Sequence, residues 1–144
     1  MQVVAGIVIV VLSLPCWAGQ AISWFSPPTG ERWGLTEAEE SVDSTYYGDI
    51  RGEALWDTLT LWTMPLAGLL LILTSDAWAY FGLASGAMYT YFGGRGVVTR
   101  RAMTSRGGRV GAPNDLRVAY AALIVWGVLG LAVIVASAAE LAGA

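Results

Sequence analysis

Hydrophobic positions divide the chain into four long stretches, separated by two polar segments and one short turn. The stretches cover about residues 3–24, 53–74, 76–97 and 116–138. A helix that crosses the hydrocarbon core of a bilayer needs about 20 apolar residues, at a rise of about 1.5 Å each. All four stretches meet that length. The pattern therefore predicts an all-α integral membrane protein, in which four transmembrane helices form one small bundle and one membrane domain over 1–144.

The second and third stretches are joined by a very short polar turn at Thr74, Ser75 and Asp76. A connection this short makes two helices antiparallel neighbours. We therefore expect the run from Glu53 to Arg101 to form a helical hairpin around which the bundle is organised. The first stretch is expected to be a retained span and not a signal peptide, because no basic residue precedes it.

The segment 25–52 connects the first two stretches and carries most of the acidic residues outside them. Thr36 followed by Glu39 matches a capping box, which predicts a short helix beginning near Glu37. Apolar residues then recur at helical spacing: Leu35, Val42, Tyr46 and Ile50. We predict a short amphipathic helix at the membrane surface, broken near Gly48, with a solvated linker as the alternative.

Small residues mark the helix faces that are expected to pack closely. In the third stretch Gly82 and Gly86 form a GxxxG motif, and the fourth stretch has a similar stripe. Such faces let two helix backbones approach in lipid. The predicted packing positions are Gly82, Gly86, Thr90, Gly93, Gly127 and Gly130. The motif fits packing inside the bundle and packing against another subunit.

Polar residues at the start of the second stretch suggest a second role. Glu53, Asp57, Thr60 and Thr63 follow one another at about one-turn intervals. An ionisable group inside a membrane segment is a functional candidate, so these residues could line an ion or proton path. The alternative is that Asp57 lies at headgroup depth and only caps the helix.

The chain contains eight basic residues, all of them arginine. With four spans, every arginine falls in or beside the segments 25–52 and 98–115, which lie on the same side of the membrane. The positive-inside rule makes that side cytoplasmic and puts both termini outside the cell membrane. Arginines of the second segment are candidates for contact with lipid headgroups or a partner: Arg95, Arg100, Arg101, Arg106 and Arg109. Their alternative role is only to set the orientation. We also expect Glu37, Glu40 and Asp43 to meet Arg100, Arg101 and Arg106.

Composition excludes several kinds of chemistry. Hydrophobic residues make up 56% of the chain and charged residues only 13%, against about 25% charged in soluble proteins. There is no His and no Lys, so a His-ligated haem, a His-containing zinc site, a Schiff-base lysine and a Ser-His-Asp triad cannot form. We expect no metal and no cofactor. The loop glycines match no nucleotide-binding motif, and we expect no nucleic-acid partner.

The leading hypothesis is a small non-catalytic membrane subunit, which packs through its glycine faces into a homo-oligomer or serves as an accessory component of a larger complex. Its partners would be membrane lipids and either other membrane subunits or itself. The alternative is a small channel or transporter with a polar path near Asp57, Thr60 and Thr63. A membrane enzyme that uses carboxylates of 37–57 and arginines of 95–117 comes third.

Overall fold

The computed structural model describes residues 2–143, and these residues form six α-helices. The helices are α1 (Gln2–Phe25), α2 (Pro27–Arg32), α3 (Ser44–Thr60), α4 (Thr63–Ile72), α5 (Ala77–Ser105) and α6 (Pro113–Gly143), with a 3₁₀ turn over Glu39–Ser41. The described residues form no strand longer than one isolated bridge. The predicted all-helical class is confirmed.

Three helical stretches are long and apolar enough to cross a membrane: Gln2–Phe25, Ser44–Ile72 and Pro113–Gly143. This finding is consistent with the predicted membrane location. The remaining predicted span lies in α5, which has 29 residues but is not apolar enough to be counted with them. Glycine, serine and tyrosine replace larger aliphatic residues on its buried face, and arginines occupy its last third.

Helix α5 is the central element of the bundle. It packs along α6 on one side and along α4 on the other, and α1 packs against α3 and α4. Helix α1 meets α6 more loosely, where the indole N–H of Trp126 donates to the carbonyl of Leu12 at 2.9 Å. The central core is formed by residues of α1, α4, α5 and α6 together with Leu61, which lies between α3 and α4. Its members are Ile9, Cys16, Leu61, Met64, Leu71, Trp78, Ala79, Tyr89, Phe92, Leu123 and Val133.

The second predicted span, 53–74, is two helices in the structure and begins earlier, at Ser44. The break at Leu61 and Trp62 follows from Pro65, which has no N–H to donate to the carbonyl four residues before it. That carbonyl, of Leu61, lies 3.3 Å from the Met64 nitrogen and 3.3 Å from the Tyr89 hydroxyl. A tertiary contact therefore completes the hydrogen bonding that the proline interrupts.

The amphipathic helix expected to begin near Glu37 is not present in the described segment. The chain instead forms α2, an irregular stretch and the 3₁₀ turn, and α3 begins at Ser44 and runs through Gly48. The reason is tertiary: Val42 is extended because it forms an antiparallel bridge with Val110. A helix cannot continue through that bridge. Three of the four predicted apolar positions still cluster, since Val42, Tyr46 and Ile50 share a small buried core with Val110, whereas Leu35 is exposed.

Candidate functional site

The predicted glycine positions lie at the contact between α5 and α6. A methyl group on Gly86 would lie 2.8 Å from the Gly130 carbonyl oxygen, and one on Gly130 would lie 2.7 Å from the Thr90 nitrogen. A methyl group on Gly93 would meet the Leu123 carbonyl and lie 2.9 Å from the Gly127 nitrogen. These contacts, and that of Gly82 with Ser137, are here called the glycine interface. The interface therefore lies inside the bundle, between two helices of the same chain.

At the end of the bundle where α1, α3, α5 and α6 meet the connecting segments, acidic and basic side chains pair. We call this group the charged end: Glu37, Asp43, Asp49, Glu53, Arg95, Arg100 and Arg109. Its most buried pair joins the segment after α2 to α5. Arg100 Nη2 lies 2.9 Å from Glu37 Oε1, and the two side chains are only 11% and 10% exposed.

Further contacts hold this pair in place. The Tyr46 hydroxyl donates to Glu37 at 3.2 Å, and the Arg100 guanidinium lies 5.7 Å from the centre of the Tyr46 ring. Burial lowers the pKa of Arg100, but the Glu37 carboxylate raises it, and the net shift of the pKa is upward. Arg100 therefore stays ionised and fixes the connecting segment to the bundle.

Arg95 lies between two carboxylates of α3. Its Nη2 is 2.6 Å from Asp49 Oδ1, and its Nη1 pairs with Glu53. Glu53, which was predicted as part of a polar path, is thus engaged in a bond between α3 and α5. An arginine between two helices neutralises carboxylates that would be costly to bury alone.

The remaining arginines of the loop differ in their contacts. Arg109 pairs with Asp43 at 3.3 Å, and its backbone N–H donates to the same carboxylate at 2.9 Å. Arg101 and Arg106 are exposed and form no ion pair among the described residues. The expected charge contact between the two segments therefore forms, through Glu37 with Arg100 and Asp43 with Arg109. Glu40 meets Arg109 only through its backbone carbonyl.

Arg51 has a role that the sequence analysis missed. It donates to the carbonyls of Ser23 and Trp24, the latter at 2.9 Å, and its guanidinium lies 4.8 Å from the centre of the Trp24 ring. These carbonyls belong to the last turn of α1, the negative end of the helix dipole. No local spacing predicts this contact, because the residues are far apart in the chain.

Asp57 lies inside the bundle, in the last turn of α3, so it does not cap the start of a helix. Its side chain is only 5% exposed, and Oδ2 has no hydrogen-bond partner. It faces Cys16 of α1 and Tyr89 of α5, with Glu53 one turn away on its own helix. A buried carboxyl oxygen without a partner is uncommon in folded proteins.

The two threonines expected beside Asp57 are not joined to it. The Thr60 hydroxyl donates to the Trp56 carbonyl at 2.9 Å. The Thr63 hydroxyl donates to the Thr60 carbonyl at 2.8 Å. The first bond lies within α3, and the second joins the start of α4 to the end of α3, where the Thr63 hydroxyl also lies 3.8 Å from Met88 Sδ. Neither threonine hydroxyl bonds Asp57.

A small polar cavity of about 50 Å³ lies at the charged end between α1, α3 and α5. Its polar lining comes from Gln20, Ser23, Thr36, Glu37, Glu53 and Arg100. The Ser23 hydroxyl is 3% exposed and has no partner. The cavity has room for one or two water molecules, each of which takes about 30 Å³ in the liquid.

Within residues 2–143, no group of three His, Cys, Asp or Glu side chains is placed to hold a metal ion. No protein-family model matches the chain, and no curated protein and no solved structure matches it. The candidate site is therefore defined by its own geometry: Asp57 inside the bundle, and the charged end with its cavity beside it.

Proposed function

We propose that this chain is a small non-catalytic integral membrane subunit with four membrane-crossing helices, which works in a homo-oligomer or a larger membrane complex. In this proposal α5 is the fourth crossing helix. At about 1.5 Å per residue its 29 residues reach about 44 Å, more than a bilayer core of about 30 Å. Its small and polar residues are tolerated because α4 and α6 cover them.

The observation that carries the subunit role is the pairing at the charged end. Glu37, Asp43, Asp49 and Glu53 each bond an arginine that comes from a different part of the chain. These side chains hold the connecting segments to the bundle, which is a structural use of groups that an enzyme would present to a substrate. The exposed Arg101 and Arg106 then serve to contact anionic lipid headgroups or an acidic partner.

A partner would contact the outward faces of the bundle, because the glycine interface is internal. Helix α6 is the most open element, with exposed apolar residues along its length, among them Val118, Val125, Val128 and Val135. The outer side of α3 and α4 carries exposed Trp56 and Trp62. Aromatic residues of this kind are enriched in protein interfaces and at membrane boundaries.

The orientation in this proposal has the charged end in the cytoplasm. All eight arginines lie in or beside the segments that meet at that end, and basic residues are retained on the cytoplasmic side. Both termini are then outside the cell membrane. A reporter fused within 106–112 tests this: cytoplasmic reporter activity supports the orientation, and extracellular activity contradicts it.

The subunit role is tested by native mass spectrometry after gentle extraction, with an affinity tag at the C-terminus. Other membrane proteins in fixed ratio, or a homo-oligomer of defined size, support the proposal. A chain that emerges only as a monomer, at concentrations from the cellular level upward, contradicts it. Gly94→Ala, a change at an open position of α5, serves as the control for handling of the tagged protein.

A channel or transporter is the second candidate, favoured by one observation, the burial of Asp57. Asp57→Asn keeps the shape of the side chain and removes its charge. Loss of ion or proton flux in proteoliposomes with Asp57→Asn, but not with the exposed Asp76→Asn, would favour transport. Flux that is equal in all three proteins would exclude transport through Asp57.

A further inference from the structure

The surroundings of Asp57 differ from those of every carboxylate at the charged end. The charged and titratable groups that face it are Glu53 on its own helix, Arg95 and Tyr89 on α5, and Cys16 on α1. The Tyr89 hydroxyl donates instead to backbone carbonyl oxygens, which lie 3.0 Å away on Ser13 and 3.3 Å away on Leu61. Asp57 Oδ2 receives no bond from any of them.

The nearby cation does not neutralise Asp57. Arg95 faces two other carboxylates: its Nη2 donates to Asp49, and its Nη1 forms an ion pair with Glu53 without hydrogen-bond geometry. A buried carboxylate that has neither a cation nor a hydrogen-bond donor is strongly disfavoured, and uptake of a proton removes its charge.

We propose that Asp57 is a reversible proton-binding site, loaded from the polar cavity at the charged end. The proton passes from water in the cavity to the Asp57 carboxylate, which becomes a carboxylic acid, and it returns by the same route. No electron moves and no other bond breaks. This inference goes beyond the proposed subunit role and does not depend on it, because a subunit and a transporter can both carry a proton site.

The cavity supplies the access. Glu53 and Ala54 line it, and both lie about one helical turn from Asp57 on the same side of α3. Ser23, which also lines the cavity, has a buried hydroxyl without a protein partner, as expected where water completes the hydrogen bonding.

On the side of Asp57 away from the charged end, Leu61, Met64 and Leu71 are buried. The buried Ser85 hydroxyl on that side already contacts Met64 Sδ and the Gly82 carbonyl. We therefore place the entry for the proton at the charged end, where the cavity lies about one helical turn from Asp57.

Infrared difference spectroscopy of the full chain in lipid, recorded across a pH titration, tests the site. A protonated carboxyl has a C=O stretching band that shifts in D₂O. We expect the wild type to show such a band, which titrates reversibly and is lost in Asp57→Asn. The matched control, Asp76→Asn, should keep it. Circular dichroism checks that each variant is folded.

A second substitution covers the case in which Asp57→Asn does not fold. Asp57→Glu keeps a carboxyl on a longer side chain, so the band should remain and move in frequency. The proposal is overturned if the folded wild type shows no such band at any pH, or if the band persists unchanged in Asp57→Asn or does not move in Asp57→Glu.

Access through the cavity has its own test. Ser23→Val replaces the cavity's unpartnered hydroxyl with a larger apolar group, and we expect it to slow the exchange of the Asp57 proton with D₂O severalfold. Ser105→Val, at the exposed end of α5, is the control and should exchange at the wild-type rate. Equal rates in all three proteins would overturn loading from this cavity. Neither infrared result depends on the mass measurement that tests the subunit role.

Discussion

The glycine interface and the charged end both hold α5 in the bundle, by opposite means. At the glycine interface, α5 and α6 come so close that backbone atoms fill the space where a side chain would be. At the charged end, long side chains cross the gaps between segments that are distant in the chain. The first contact requires glycine, which has no side chain, and the second requires particular charged side chains.

The two regions should therefore fail differently. At Gly86, Gly93 and Gly130 an added carbon is harmful, because the atoms that it meets include a helix backbone that cannot rotate away. At the charged end, removal of one side chain of an ion pair should lower the free energy of unfolding more, the more deeply its partner is buried. The exposed fraction of each charged pair therefore ranks the stability that it contributes. At each glycine, the distance to the facing backbone ranks the stability that a substitution would remove. The following substitutions test this difference, with the free energy of unfolding measured in mixed micelles.

The largest effect is expected from Arg100→Gln, which leaves the buried Glu37 without its cation. Removing one partner of a buried ion pair costs about 3 kcal/mol or more. The neighbouring Arg101→Gln is the matched control and should change stability little, since Arg101 is exposed. The double variant Glu37→Gln/Arg100→Gln should recover part of the loss. If Arg100→Gln and Arg101→Gln unfold alike, the pair does not stabilise the bundle.

A smaller but clear loss is expected from Gly93→Ala. Its methyl group would meet the backbone of Leu123 and Gly127, so α6 must shift, at a cost of about 2 kcal/mol. Gly94→Ala is the control, because that position has open space and alanine favours helix by about 1 kcal/mol over glycine. Equal stability of the two variants would show that α5 and α6 are not in backbone contact.

Tyr89→Phe tests the hydrogen bonds of the Tyr89 hydroxyl separately from the packing of its ring. It keeps the ring and removes the hydroxyl that bonds the carbonyls of Ser13 and Leu61, which should cost about 1 kcal/mol. The exposed Tyr91→Phe serves as the control and should be close to the wild type. A Tyr89→Phe protein as stable as its control would mean that the break at Leu61 needs no tertiary hydrogen bond.

The smallest effect is expected from Arg109→Gln. Arg109 and Asp43 are 64% and 40% exposed, and pairs of this kind contribute about 0–1 kcal/mol. Raising the salt concentration should remove the Coulombic part of the difference from the wild type. A loss as large as that of Arg100→Gln would contradict the ranking of the charged pairs by exposure.

Much of the fold follows from local patterns. The long apolar runs and the turn at 74–76 predict helices, and the structure has helices in each of those runs. The small residues of α5 and α6 predict close packing, and they lie where the two backbones meet. Both are properties of neighbouring residues on one helix, so the chain carries them without reference to the rest of the molecule.

The wrong helix prediction in the segment 25–52 has a tertiary cause. The capping box at Thr36 and Glu39 predicted a helix, but Glu37 bonds Arg100 of α5, and Val42 pairs with Val110 of the loop after α5. Such contacts outweigh a local preference of about 1 kcal/mol. The break at Leu61 has a local cause, Pro65, and the tertiary structure adds only the Tyr89 hydroxyl that bonds the Leu61 carbonyl.

The apolar pattern alone predicted four membrane-crossing stretches, and three helical stretches of the structure are long and apolar enough to cross. The sequence by itself also determined that the chain is helical and where its small and charged residues stand along each helix. Only the tertiary structure decided which of these residues meet. It turned the glycine faces inward and paired Arg95 with Asp49 and Glu53, and it left Asp57 buried without a partner. The reason is that hydrophobic and small-residue patterns repeat along one helix, whereas an ion pair or an unpartnered carboxyl depends on side chains from several helices at once.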